Sequence, residues 1–109
     1  MATNREFLEY TLELLGDLPE ITFRPMMGEY LLYYRGKLFG GLYDGRLMVK
    51  PVPSARALLP DAPMEEPYPG ASKMLALSSL EDRDLLVRLV TAMYDELPEP
   101  RPRRRKKEG

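Results

Sequence analysis

The sequence predicts an α+β fold, a two-layer sandwich in which helices cover one antiparallel sheet. Three observations carry that prediction. Apolar residues recur at helical spacing near both ends of the chain, over residues 7–15 and 85–97. Between them, residues 21–50 are rich in aromatic and apolar residues and are broken by glycine turns. Two amphipathic stripes need one shared surface to bury against, and a single sheet supplies it. The expected order is a helix, three or four strands, a short helix, one or two strands and a last helix.

The elements follow in chain order. Thr3 to Glu6 has the form of a capping box, with Thr3 as cap and Glu6 reaching back. The first helix is read over residues 4–15, on the stripe Phe7, Leu8, Thr11, Leu12, Leu14 and Leu15, and Gly16 stops it through a positive φ. Ile21 to Arg24 leads into Pro25, which suits a strand end or a sheet edge. YLLYY at 30–34 and KLFGGLY at 37–43 read as strands, joined by a tight turn at Arg35-Gly36. The Gly40-Gly41 pair predicts a bulge or a close backbone approach. Asp44-Gly45 predicts a two-residue hairpin, with RLMVK at 46–50 pairing back.

Beyond Pro51 and Pro53, SARALL at 54–59 reads as a short helix capped by Ser54. Residues 60–70 form a proline-rich loop expected to pack Met64 and Tyr68 inward. KMLAL at 73–77 reads as a short strand. Ser78, Glu81, Asp82 and Asp84 mark the start of the last helix, where acids suit the dipole. Leu85, Leu86, Leu89, Val90, Met93 and Leu97 are its buried stripe, and Pro98 ends it. Residues 1–98 are therefore expected to form one domain, and residues 99–109 a basic, disordered tail.

Composition narrows the chemistry. The chain has 109 residues, no cysteine and no histidine. Without them no disulfide, thiolate nucleophile, Ser-His-Asp site or Cys-His site can be built from this chain. No spacing of Asp, Glu, Lys, Tyr or Ser names a reaction, so no enzyme activity and no cofactor is expected. No apolar run approaches a membrane span, and the polar start is unlike a signal peptide, so a cytoplasmic protein is expected. Residues 1–100 hold 10 Lys+Arg against 16 Asp+Glu, net −6; residues 101–109 hold 6 against 1, net +5.

A family likeness appears at RPMMGEYLLYYRGKLF, residues 24–39. It resembles the opening signature of TfoX/Sxy N-terminal domains: an arginine, Met-Phe-Gly, a glycine and aromatic strand, then Asp-Gly-Lys. YDGRLMVK at 43–50 resembles the family's second hairpin, and Tyr68-Pro69-Gly70 its Tyr-Pro-Gly element. Met27 stands where Phe is common and Arg35 where Asp is common. The resemblance implies a secretion-chaperone-like α/β sandwich and a homodimer. It also implies a competence and transcription regulator acting beside a protein partner. Longer members carry a second domain; here only the basic tail follows.

Two sets of residues stand out as candidate sites. Arg101, Arg103, Arg104, Arg105, Lys106 and Lys107 could neutralise phosphates and give salt-sensitive, sequence-blind nucleic-acid binding, or serve as a solubilising tail that balances an acidic body. No aromatic interleaves them, so base stacking is not implied. Tyr33 and Tyr34 are adjacent in a strand, so one must face outward. That one is either an interface anchor or a half-buried strand tyrosine. Lys37, Arg46 and Lys50 would form a cationic patch beside them if they share a face, and are otherwise ordinary strand cations. Met26, Met27, Met48, Met64, Met74 and Met93 read as core filler. The acids Glu65, Glu66, Glu81, Asp82 and Asp84 read as solvated or capping residues.

Overall fold

Three two-residue turns organise the centre of the chain. The structure is a computed structural model that describes residues 3–77 and 80–98. In it β1 (Ile21–Met26), β2 (Glu29–Tyr34), β3 (Lys37–Tyr43) and β4 (Arg46–Val49) follow one another as a meander. Met27-Gly28, Arg35-Gly36 and Asp44-Gly45 join them, and all six residues have positive φ. A type I′ turn needs that at both centres, and its twist matches the strands it joins. Helix α2 (Pro53–Leu58) follows, then β5 (Met64–Glu65) and β6 (Met74–Ala76). The result is one antiparallel six-stranded sheet in the order β1-β2-β3-β4-β6-β5. With α1 (Arg5–Leu14) and α3 (Arg83–Met93) it makes the expected α+β fold.

Both long helices bury their stripes against the same face of the sheet. Leu8 and Leu15 from the α1 region and Leu86, Leu89, Val90 and Met93 from α3 meet Leu32, Phe39, Leu42, Leu47 and Val49 of the strands. Tyr34 lies on this face too, with its ring edge-on to Tyr94 at 5.5 Å. Lys37 is directly opposite Tyr34 and is buried with it. Its ammonium sits 4.1 Å from the Tyr94 ring centroid and donates to the Tyr94 carbonyl at 3.0 Å. That carbonyl and the ring face offset the cost of burying the charge.

Gly40 and Gly41 are where the sheet is tightest. A Cβ on Gly40 would lie 2.2 Å from the Met48 carbonyl oxygen. One on Gly41 would lie 2.6 Å from the Tyr30 carbonyl oxygen and 2.8 Å from the Tyr43 ring. The register against β2 shifts between Leu32 and Tyr33, so β3 carries an extra residue at Phe39. Bulge and close approach, offered as alternatives by the sequence, both occur.

The ends of elements differ more from expectation. Asn4, not Thr3, caps α1, accepting from the Phe7 N–H at 2.8 Å. Thr3 is spent on a clasp between two turns: its hydroxyl donates to Glu29 Oε1 at 2.7 Å and accepts from the Gly45 N–H at 3.0 Å. Glu29 Oε1 also accepts from the Asp44 N–H. Gly16 has no positive φ, and the carbonyls of Glu13 and Leu14 are met by the Arg83 guanidinium instead. Pro53 opens α2 at its first turn, and Ser54 does not cap it. The Ser54 N–H and hydroxyl both donate to the Glu96 carboxylate, at 2.8 and 2.7 Å. These two bonds hold the Glu96 carboxyl below its ordinary value of 4.5. Asp82 caps α3, accepting from the Leu85 N–H at 3.0 Å, while Ser78 lies outside the described residues. The helix then tightens into a 3-10 turn, Tyr94–Glu96.

Candidate functional site

Among the described residues, the second face of the sheet carries no helix. Its apolar cluster consists of strand residues alone: Tyr43, Met48 and Ala76 buried, with Met26, Leu31 and Met74 half-buried around them. Antiparallel register explains the grouping, because residues directly opposite share a face. Gly41 faces Leu31 on one side and Met48 on the other, and Met48 faces Ala76. Arg24 joins this row opposite Leu31, and Tyr33 stands opposite Leu38.

Part of this face is roofed by the chain between β5 and β6. Tyr68 reaches over Tyr43, with ring centroids 6.1 Å apart. Between that roof and the β1–β3 side runs an open trough of about 760 Å³. Met26, Leu31, Leu38, Tyr43, Tyr68 and Met74 give it an apolar floor and wall. The bare Gly41 lets the Tyr43 ring lie flat across the sheet. Burial raises the Tyr43 phenol above its ordinary 10.0, with smaller contributions from Tyr68, Glu29 and Tyr33, so it stays a neutral hydrogen-bonding group at physiological pH.

The charges around the trough are unevenly satisfied. Arg46 is ion-paired with Glu65. Glu96, the acid among the lining residues, is held by Ser54. Glu29 is held by Thr3 and the Asp44 N–H. Lys50 and Lys73 also line the trough, and Arg24 stands beside Leu31. Lys37, Arg46 and Lys50 do not share a face as a patch would require and stand as ordinary strand cations: Lys37 turns to the helical face and Arg46 is neutralised.

Of the candidate pair, Tyr34 is buried on the helical face against the Tyr94 ring of the 3-10 turn, and Tyr33 is half-buried on the open face. The six tail cations Arg101, Arg103, Arg104, Arg105, Lys106 and Lys107 lie outside the described residues. Two methionines and one tyrosine depart from the core reading: Met27 is 96% exposed, Met64 37% and Tyr68 50%. Neither Met64 nor Tyr68 packs inward, since β5 is a two-residue edge and Tyr68 is a rim. Among the described residues no three acids gather as a metal site, and no helix is long and apolar enough to cross a membrane.

The trough itself was not foreseen. A signal for it existed: YLLYY is apolar at every position rather than at alternate ones, as a strand covered on both faces should be.

A single antiparallel sheet covered by helices on one face, with an apolar trough along the other, defines a small α+β sandwich with one sheet face left available. The TfoX N-terminal domain model matches residues 13–97, nearly the whole described fold, and the chain belongs to that family. It is also similar to an uncharacterized 12.7 kDa protein from the trpE 5′ region of Spirochaeta aurantia. The two are 30% identical over 107 residues, covering 97% of this chain and 93% of the relative.

Proposed function

We propose that this chain is a non-enzymatic regulatory adaptor that works through protein contacts, with the open face of its sheet as the contact surface. The observation that carries the reading is the trough: a largely apolar surface, Leu31, Leu38 and Met74 among its lining, covered by no helix among the described residues. Contiguous apolar surface of this kind marks interaction sites. Tyr33 and Tyr68 at its edges are rigid amphipathic anchors of the sort that dominate interfaces. The absence of histidine and cysteine from the sequence supports a binding role over a catalytic one. The setting we assign is the one its family suggests, cytoplasmic regulation of transcription in competence through a protein partner, in a homodimer.

Leu38→Glu is the test. Leu38 is half-exposed, so the variant should keep its helical circular dichroism and its cooperative melt. The wild type immobilised on resin should retain partners from cell extract that Leu38→Glu and Leu31→Glu lose. Equal retention by folded variants overturns the reading. Light-scattering mass tests the pairing against the 12.5 kDa of one chain.

A further inference from the structure

We propose that the trough takes an amphipathic helix with acidic flanks, presented by a protein partner. The inference rests on the reading of the open face as a protein-binding surface and names its occupant. A helix is the natural cover for a sheet face: α1 and α3 already cover the opposite face, and a third would complete a three-layer sandwich. The trough is a channel in a surface and not a closed pocket, which suits a rod with an apolar stripe.

Charge decides the flanks. Lys50 and Lys73 line the trough, Arg24 stands beside Leu31, and no described acid pairs with any of the three. Of the neighbouring carboxylates, Glu65 is neutralised by Arg46, while Glu29 and Glu96 are hydrogen-bonded to uncharged groups, Thr3 and Ser54. Among the described lining residues two lysines therefore stand against the carboxylate of Glu96, and Arg24 adds a third cation nearby, a local cationic excess on a chain whose first 100 residues are net −6. Complementary charge at a rim steers and orients a partner while apolar contacts hold it.

The same charges argue against other occupants. The chain's own segment 101–107 is cationic and would be repelled. It follows shortly after Pro98, which lines the trough. A second copy docking by this face would set Lys50, Lys73 and Arg24 against their equivalents, because a two-fold contact pairs a patch with itself. Nucleic acid would satisfy the cations but gains nothing from Leu31, Leu38 and Met74.

The experiment uses the full chain and a fluorescein-labelled peptide of about 18 residues, five turns of helix. Leu and Phe form its stripe and Glu its flanks; a matched peptide carries Lys flanks. Anisotropy should show the Glu peptide binding at least about tenfold more tightly than the Lys peptide, and weakening with salt. The double reversal Lys50→Glu/Lys73→Glu leaves the apolar floor intact and should invert the preference. Leu38→Glu should abolish binding of both. Amide shifts in the nuclear magnetic resonance spectrum should centre on Leu31, Leu38 and Met74. Equal affinity for the two peptides, no binding of the Glu peptide, shifts confined to α1 and α3, or displacement of the peptide by duplex DNA from Lys50 and Lys73 would each overturn the inference. If the Glu peptide fails while Leu38→Glu still strips partners from the wild-type set, the acidic helix falls and the interface stands. If Leu38→Glu changes neither readout, both fall.

Discussion

Met27 is 96% exposed and stands at φ 51°, a left-handed backbone that a long apolar side chain adopts only under strain. Asn at this first turn position would be relaxed, as the frequency of Asn-Gly in two-residue hairpins shows. A residue that is both strained and exposed is poorly explained by folding. Its place in the chain suggests why it is there: Met26, one residue earlier, lines the trough. Met is also the adaptable side chain of partner-binding surfaces. Met27→Asn should therefore raise stability by about 0.5–1 kcal/mol, read as a shifted urea midpoint with unchanged slope. It should at the same time weaken retention of partners by the immobilised protein. A variant that is more stable and binds equally well would leave Met27 as an unexplained defect in the turn.

At the scale of elements, β3 is the strand that both faces depend on. Phe39 and Leu42 fill the helical side, and Tyr43 lies over Gly41 on the other. Gly40→Ala would bring a Cβ to 2.2 Å from the Met48 carbonyl oxygen, so β3 and β4 must separate. The expected loss is about 3 kcal/mol or more, at the upper end of the ordinary range for a single substitution, measured by urea unfolding. A loss under about 1 kcal/mol would mean that the hairpin relaxes freely. This strand was legible in the sequence, as were the Arg35-Gly36 and Asp44-Gly45 turns and the stripes of α1 and α3, because each is a local pattern. The Met27-Gly28 turn was not, since Met does not announce a positive φ. Caps misled for a related reason: Thr3 matches a capping box, yet its hydroxyl is worth more between two distant turns, where Glu29 and Gly45 meet it. Of the site, alternation made it plain that only one of Tyr33 and Tyr34 faces outward. The trough is hidden in the sequence because its Tyr68 wall comes from a proline-rich loop, in which a tyrosine reads as packing inward.

At the scale of the whole molecule, charge is segregated more than its net of −1 suggests. Glu6, Glu9 and Glu13 lie on the exposed side of α1, in the helical layer, whereas Lys50 and Lys73 lie on the open face. The +5 of residues 101–109 follows closely on the trough residue Pro98. Removing residues 101–109 therefore tests function and stability separately. The hydrophobic core lies within residues 3–98, so the unfolding free energy read from urea denaturation should change by no more than about 0.5 kcal/mol. Association with the Glu-flanked peptide should slow about tenfold at low ionic strength, and the difference should shrink as salt shortens the reach of the field. Stopped-flow anisotropy at two salt concentrations reads both effects. The same truncation in a gel shift with duplex DNA separates the two uses of the tail. If the full chain binds DNA, the truncated chain does not, and both associate with the peptide at one rate, then the cations of residues 101–107 serve nucleic acid and not the trough.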